Sequence, residues 1–124
     1  MSTVLIVEDN EKNMKLARDV LQAKGYMTLE AITGEEGVRL AREKIPDLVL
    51  MDIQLPGING IEAFKQLRAD PKTARIPVVA LTASVTPTDR SAITAAGFDA
   101  FVSKPINLKE FLETVKRLIE GGRK

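Results

Sequence analysis

The sequence predicts an α/β domain in which helices cover both faces of a parallel β-sheet. Short apolar runs alternate with longer segments of helical period five times along the 124 residues. Almost wholly apolar runs, such as residues 48–51, are typical of strands that are buried on both faces of a parallel sheet. Repeated βα units connect through right-handed crossovers, which place helices on both sides of the sheet.

The apolar runs predict strands at residues 3–7, 27–31, 48–51, 78–81 and 100–102. A chain of 124 residues is long enough to bury one core and short for two. It contains no internal linker, repeat or low-complexity segment. We therefore expect one domain over residues 1–124, without a separate output domain.

Polar caps mark where several of the intervening helices begin. Capping-box spacing, an N-cap oxygen with an acid three residues later, occurs in three places. The pairs are Thr33 with Glu36, Thr86 with Asp89, and Asn107 with Glu110. Pro87 supports the second start, because proline suits the first helical position. Gly25, Gly97 and Gly121 follow helical stretches and predict left-handed stops there.

Apolar periodicity predicts which face of the first and last helices is buried. In the first helix the apolar stripe is Leu16, Ala17, Val20 and Leu21. In the last helix it is Phe111, Val115, Leu118 and Ile119, with Leu112 at its edge. We therefore expect the solvent-facing side of the first helix to carry Met14, Lys15, Arg18 and Gln22.

Composition excludes several classes of function. The net charge is +1, so no bulk electrostatic attraction draws the chain to nucleic acid or anionic lipid. The absence of cysteine and histidine excludes disulfides, thiolate metal sites and histidine-based acid–base catalysis. All apolar runs are short, and no basic segment precedes a long one at the N-terminus. We expect a cytoplasmic protein that binds neither nucleic acid nor membrane.

Polar side chains follow the predicted strands, at the carboxyl ends where open α/β sheets bind their ligands. They are Glu8 and Asp9 after the first strand, Asp52 after the third, Thr82 after the fourth and Lys104 after the fifth. Singly, each has an ordinary interpretation as a helix cap, a turn start, a strand residue or a surface charge. Together, three carboxylates repel one another unless a cation or a proton lies among them. Oxygen ligands alone select Mg²⁺ or Mn²⁺.

These residues suit phosphoryl transfer. A carboxylate can attack phosphorus as a nucleophile and become an acyl phosphate. A divalent cation, a lysine and a hydroxyl group can offset the charge on the phosphoryl oxygens. Asp52 is the candidate acceptor, with Mg²⁺ held beside it by acidic residues.

The runs VLIVEDN, DLVLMDIQLPGINGIE, IPVVALTA and FVSKP resemble the receiver domain of two-component response regulators. The resemblance covers essentially the whole chain and implies a flavodoxin-like, doubly wound (βα)5 sheet of order 2-1-3-4-5. It implies phosphorylation of Asp52, with Mg²⁺ bound directly by Asp9, Asp52 and the backbone carbonyl of Gln54. Glu8, where many receivers have Asp, is expected to act through water.

The resemblance also implies a conformational switch and an output surface. Thr82 and Lys104 are expected to contact the phosphoryl oxygens, and Phe101 is the expected aromatic switch residue. The Lys104–Pro105 peptide bond is expected to be cis. Apart from the resemblance, we expect the phosphoryl donor to dock on the first helix, on the side that carries Met14, Lys15, Arg18 and Gln22, and on the loop after the fifth strand, because this surface lies next to the nucleophile. The output partner is expected on residues 86–120.

The stretch EDNEKNMKL resembles single-domain regulators of the DivK type, which implies a part in cell-cycle regulation. The resemblance implies that the donor is a histidine kinase or a histidine phosphotransfer protein. It further implies a downstream protein target, a monomer or weak dimer, and no turnover of a separate small-molecule substrate.

Other interpretations share parts of this pattern. An FMN-binding flavodoxin needs a phosphate loop rich in Ser, Thr and Gly after the first strand, where this chain has acids. A haloacid-dehalogenase-type phosphatase normally carries a second Asp two residues after its nucleophile, where this chain has Gln54. A degenerate receiver would only bind partners, and retention of all five site positions argues against it. A shuttle in a phosphorelay stays open, because it would use the same chemistry.

Overall fold

The computed structural model describes residues 2–55, 57–83 and 86–121. Strands and helices alternate through them in the order β1 (Thr3–Val7), α1 (Glu11–Ala23), β2 (Met27–Ala31), α2 (Gly34–Lys44), β3 (Leu48–Asp52), α3 (Gly60–Ala69), β4 (Val78–Thr82), α4 (Pro87–Ala96), β5 (Ala100–Ser103) and α5 (Leu108–Gly121). The predicted alternation is confirmed, and each of the last three strands continues one residue past its predicted end. None of the described helices is long and apolar enough to cross a membrane.

The sheet has the predicted order, β2-β1-β3-β4-β5, and all of its strand pairs are parallel. β1 and β3 are neighbours in the sheet, although β2 lies between them in the chain. The chain therefore adds strands to one side of β1 with β2 and to the other side with β3, β4 and β5. In open α/β sheets, ligands bind at the point of this reversal, in the crevice outside the carboxyl ends of the two strands that flank it. Val7 lies beside Met51 in this register, so Glu8 and Asp52 leave the sheet as neighbours.

Two apolar clusters pack on opposite faces of the sheet. Because alternate side chains of a strand point to opposite faces, Leu5 and Val7 join the cluster with α2 and α3, whereas Val4 and Ile6 join the one with α1 and α5. β3 and β4 are buried along their whole length. Their continuous apolar sequences follow from this, since helices cover both faces.

The buried face of α1 differs from the predicted one. Met14 is 5% exposed and Leu16 is 37% exposed, whereas the sequence pattern predicts the reverse. Residues advance about 100° per position around a helix, and the predicted and observed stripes share Ala17 and Leu21. Periodicity alone does not separate two stripes that overlap in this way, and packing against the β1, β3 and α5 side chains selects Met14. The predicted face of α5 is confirmed, since its fully buried residues are Phe111 and Val115.

The predicted helix caps are present at α2 and α5. Thr33 Oγ1 accepts a hydrogen bond from the Glu36 N–H at 3.1 Å. Asn107 Oδ1 accepts one from the Glu110 N–H at 3.1 Å. Each bond satisfies one of the backbone donors that the first turn of a helix leaves unpaired.

The other predicted helix boundaries are confirmed where the structure describes them, with one exception. The left-handed stop predicted at Gly121 is wrong, because α5 keeps its helical geometry through Gly121, whose φ is not in the left-handed region. α4 begins at Pro87, while the side chain of Asp89 lies outside the described part of the chain. Gly25 and Gly97 have φ angles of 89° and 99°, in the left-handed region that glycine enters without steric cost.

Gly60, the first residue of α3, lies against the end of β3. Its N–H donates to the Ile53 carbonyl at 3.0 Å. A Cβ at this position would overlap the Asp52 carbonyl oxygen and lie 2.8 Å from Ile53 Cα. Both contacts are with backbone atoms, which cannot turn aside as a flexible side chain can. Glycine therefore lets α3 pack directly beneath the carboxyl end of β3.

We expect Gly60→Ala to lower the free energy of unfolding by about 1–3 kcal/mol, because the added methyl group must displace the β3 backbone. Chemical denaturation of the two proteins measures this difference. Gly121→Ala is the matched control, since nothing lies within 4 Å of a Cβ there and alanine favours helix. A loss of less than ~0.5 kcal/mol for Gly60→Ala, the usual range for surface changes, would contradict the tight packing.

Candidate functional site

Three carboxylates meet at the carboxyl ends of β1 and β3. Glu8 follows β1 directly, Asp9 comes next, and Asp52 is the last residue of β3. Glu8 and Asp52 are 1% and 3% exposed, whereas Asp9 is exposed. One carboxylate oxygen of each acid lies within 4.8 Å of the other two. The predicted acidic cluster is therefore present, and burial of two members makes their mutual repulsion costly.

Lys104 bridges the two buried acids. Its Nζ lies 2.9 Å from Glu8 Oε1, 3.0 Å from Glu8 Oε2 and 3.2 Å from Asp52 Oδ2. Its backbone N–H donates to the Thr82 carbonyl at 2.8 Å, which ties the residue after β5 to the end of β4. The Lys104–Pro105 peptide bond is cis, as predicted. Lys104 follows the edge strand β5, and its ammonium group thus reaches across the sheet to Glu8 after β1 and to Asp52 at the end of β3.

Thr82 lies on the same edge of the sheet. It is the last residue of β4 and is 3% exposed. Asp52 pairs with Leu81 in the β3–β4 register, so Thr82 lies one position beyond Asp52 on the neighbouring strand. The structure therefore brings together four strand ends that carry the predicted acids, hydroxyl group and lysine.

The loop after β3 contacts the Asp52 carboxylate through its backbone. The Gln54 N–H donates to Asp52 Oδ1 at 3.0 Å, and the Gln54 side chain is exposed. The Ile53 N–H donates to the Leu81 carbonyl at 3.0 Å, which holds the start of the loop against β4. One Asp52 oxygen therefore accepts from a backbone N–H while the other lies against Lys104.

Asn13 belongs to this site, although the sequence pattern did not single it out. Its Nδ2 donates to Glu8 Oε1 at 2.9 Å. Its backbone N–H donates to the side chain of Asn10, the N-cap residue of α1, at 3.1 Å. A signal was available, because side chains in a helix lean toward its N-terminus and α1 begins directly after the acids. An amide in that first turn is within reach of Glu8.

Phe101, the predicted switch residue, lies in β5 and is half-buried. The guanidinium carbon of Arg90 lies 4.9 Å from its ring centroid, within the range of a cation–π contact. Phe101 also borders a surface cleft with Ser91, Thr94 and Ala95 of α4. The structure therefore places the predicted switch residue between β5 and α4.

Three of the four predicted docking residues, Lys15, Arg18 and Gln22, reach polar partners on the surface of α1 and β2. These partners are Asp19, Glu30 and Thr28. Met14, the fourth, is buried, so the prediction that it faces solvent is wrong. It lines a cleft of about 320 Å³ together with Glu8 and Asp9. The exposed apolar residue of α1 is Leu16.

Burial is the largest cause that raises the pKa of Asp52 to about 6, from an ordinary value of 3.8. Its hydrogen bond with Glu8 raises the pKa further, while the Gln54 N–H and the charge of Lys104 lower it. The folded state therefore holds a proton on Asp52 more tightly than the unfolded chain does. Above a pH of about 6 Asp52 is ionised, which is the form that can attack an electrophile.

The acidic cluster has the donor set of a hard divalent cation. Carboxylate oxygens without nitrogen or sulfur ligands suit Mg²⁺ or Mn²⁺. Two oxygens that bind one Mg²⁺ ion at about 2.1 Å lie at most about 4.2 Å apart. Carboxylate oxygens within 4.8 Å of one another therefore need only small side-chain shifts, or a bridging water, to share such an ion. Three carboxylates against the Lys104 ammonium leave the cluster with a net negative charge, and exposed Asp9 opens it to solvent. The residues therefore fit such an ion.

Comparisons with known proteins agree on one family. A family model described as the response regulator receiver domain matches residues 4–116. The polar-differentiation response regulator DivK of Brucella ovis is 49% identical over 114 residues, which cover 92% of this chain and 93% of that protein.

Solved structures show the same fold. The receiver domain of a sensor histidine kinase from Pseudomonas aeruginosa, solved with a magnesium ion coordinated in its active-site cleft, matches with a TM-score of 0.90 and 32% identity, over 96% of this chain and 98% of that one. The chemotaxis response regulator CheY4 of Vibrio cholerae matches with a TM-score of 0.89 and 27% identity, over 95% of this chain and 98% of that one.

The raised pKa of Asp52 predicts how stability depends on pH without divalent metal. As the pH rises from 3.8 to about 6, the unfolded chain loses its proton first, so ionising Asp52 lowers the free energy of unfolding. We expect Asp52→Asn to remove this loss and to be more stable than the native protein at pH 7.5 by roughly 1–3 kcal/mol.

Urea denaturation in EDTA at pH 4 and pH 7.5 measures the difference between the two proteins. Glu62→Gln neutralises an exposed acid on α3 and should leave the dependence on pH unchanged. If the free energy of unfolding falls by the same amount between pH 4 and pH 7.5 in Asp52→Asn and in the native protein, burial does not disfavour the ionised form of Asp52.

Proposed function

The chain belongs to the response-regulator receiver family, and on that premise we propose that Asp52 accepts a phosphoryl group in a reaction that requires Mg²⁺. One observation carries the proposal. Asp52 is a buried acid whose carboxylate lies 3.2 Å from the Lys104 ammonium and within 4.8 Å of two further carboxylates. A structural ion pair needs no such excess of acids, whereas a site that binds a divalent cation and then a phosphoryl group does.

The chemistry follows from the atoms at the site. An Asp52 carboxylate oxygen forms a bond to phosphorus, and the bond from phosphorus to the donor's leaving group breaks with its electron pair. The product is an acyl phosphate on Asp52. Lys104 and Thr82 would contact the phosphoryl oxygens. Asp9, Asp52 and the Gln54 carbonyl would hold Mg²⁺, with Glu8 acting through water, and the ion would offset the negative charge of the phosphoryl oxygens.

The phosphoryl donor lies outside these 124 residues, because they contain no histidine that could carry the group. We propose a histidine kinase or a histidine phosphotransfer protein as donor. It docks on the exposed part of α1, which carries Lys15, Arg18 and Gln22 on one side. Met14 is buried, and the exposed Leu16 offers an apolar contact on a neighbouring side of the same helix.

Signalling runs through protein contacts and not through turnover of a separate small-molecule substrate. The alignment covers 93% of the Brucella ovis relative, a polar-differentiation response regulator, which supports a similar role in cell-cycle control. A shuttle in a phosphorelay would use the same site, and only its partners would differ.

The output surface is proposed at residues 86–120, with Thr82 and Phe101 as the switch. A phosphoryl group adds a charge of about −1.5 to −2, which draws a hydroxyl and an ammonium group inward. Thr82 pairs with Ser103 and Ala80 with Phe101 in the β4–β5 register, so the two switch residues lie on adjacent strands.

NMR with the acyl-phosphate mimic beryllofluoride tests this switch. We expect backbone shift changes across residues 86–120 in the native protein and much smaller ones in Thr82→Ala, because the hydroxyl group links the site to β5 and α4. Changes confined to the surroundings of Asp52 in the native protein would place the switch elsewhere.

Intact-mass measurement after incubation with acetyl phosphate tests the acceptor. With Mg²⁺ we expect one added phosphoryl group, and with EDTA or in Asp52→Asn we expect none. Asp47→Asn is the matched control, because Asp47 is an exposed aspartate just before β3 that accepts from the Thr3 N–H. Labelling that survives Asp52→Asn would refute the assignment.

The same assay with a purified histidine kinase as donor tests the docking surface. Leu16→Ala and Arg18→Glu should slow transfer from the kinase and leave labelling by acetyl phosphate unchanged. Equal slowing with both donors would point to damage at the site itself.

A further inference from the structure

We propose that Asn13 is a positioning residue that keeps the Glu8 carboxylate in the acidic cluster. The inference rests on the proposed function, since it concerns how the cluster receives its divalent ion. Within the described residues, Asn13 forms no hydrogen bond with Asp52 or Asp9. Its effect on the acidic cluster therefore passes through Glu8.

The Glu8 carboxylate is held from two sides. Asn13 Nδ2 donates to Oε1 at 2.9 Å, and Lys104 Nζ lies 2.9 Å from Oε1 and 3.0 Å from Oε2. Glu8 is 1% exposed, so a hydrogen bond that its carboxylate loses is a bond lost at a largely buried group. A buried carboxylate that loses a hydrogen bond must find another or turn away.

The Asn13 side chain starts from a fixed backbone. Its N–H donates to Asn10 Oδ1, and the Lys12 N–H donates to the same oxygen, so the N-cap holds the first turn of α1. Met14, the next residue, is anchored in the core. The amide is thus presented to Glu8 by a segment that is fixed at both ends.

A glutamate at position 8 has a particular need for such a contact. Its side chain has one more methylene group than aspartate, and therefore one more rotatable bond through which its carboxylate can leave the cluster. Lys104 alone does not remove that freedom, because its ammonium group also lies 3.2 Å from Asp52 and can follow either acid. Asn13 supplies a second, fixed contact, and groups that orient ligands of a metal site affect its affinity.

A double-mutant cycle between positions 8 and 13 tests the proposal. We expect Asn13→Ala to weaken Mg²⁺ binding by roughly tenfold, measured from the rise in melting temperature with Mg²⁺ concentration, and to slow labelling by acetyl phosphate. Asn13→Leu keeps roughly the size of the side chain, removes its donor and adds no charge, and it should weaken binding at least as much.

A comparison of Asn13→Ala in two backgrounds distinguishes positioning of Glu8 from a purely structural role of Asn13. In a Glu8→Asp background the shorter acid does not reach the amide, so Asn13→Ala should then leave Mg²⁺ affinity unchanged. Gln66→Ala removes an amide that borders a different surface cleft, with Arg42 and Lys72, and is the control in both backgrounds. The free energy of unfolding without Mg²⁺ is recorded for every variant.

Unchanged Mg²⁺ affinity in Asn13→Ala, or an equal loss in both backgrounds, would overturn the proposal. These outcomes are distinct from failure of the proposed function. If Asp52→Asn were still labelled, Asp52 would not be the acceptor, yet the Mg²⁺ titrations would still report whether Asn13 acts through Glu8.

Discussion

The contacts of the Lys104 ammonium group with Glu8 and Asp52 are the interaction on which the site depends. Two acids are buried side by side at the end of the sheet, and ionised groups in such a position need a nearby opposite charge. Lys104 provides it only when β5, β4, β3 and β1 are assembled in register, because it follows the edge strand and reaches across to β1. One ammonium group does not neutralise three carboxylates. The remaining negative charge is the electrostatic reason why the same cluster can take up a divalent cation.

Helix α1 serves the core, the site and the surface at once. Its N-cap, Asn10, fixes the first turn, Asn13 faces back toward Glu8, and Met14 packs beneath the sheet. Lys15 and Leu16 follow on the outer side. Successive residues have different functions because each step turns the side chain by about 100°. A partner that binds the outer side of α1 therefore lies one turn from the residues that hold the acidic cluster.

Few contacts separate the acidic cluster from the surface that β5 and α4 form. The Lys104 N–H donates to the Thr82 carbonyl, so a hydrogen bond joins the ends of β4 and β5. Phe101 lies on β5, three residues before Lys104, and contacts Arg90 of α4. Spatial proximity alone does not make a switch, since a ligand shifts an equilibrium only by its different affinity for the two states. The phosphoryl group meets this requirement if its contacts with Thr82 and Lys104 are stronger in one conformation of the domain than in the other.

The sequence by itself determined the alternation of strands and helices and the polar residues at the strand ends, because apolar periodicity and capping spacing are local properties of the chain. The resemblance of its motifs to receivers supplied the strand order and the cis bond before Pro105. Only the assembled fold shows that Met14 and not Leu16 is buried, and that burial raises the pKa of Asp52. Both features depend on contacts between segments far apart in the chain, and the first depends on the rotation of α1 that its packing against the sheet and α5 selects. The bond of Asn13 to Glu8 spans only five residues, and it depends on how the chain turns from β1 into α1.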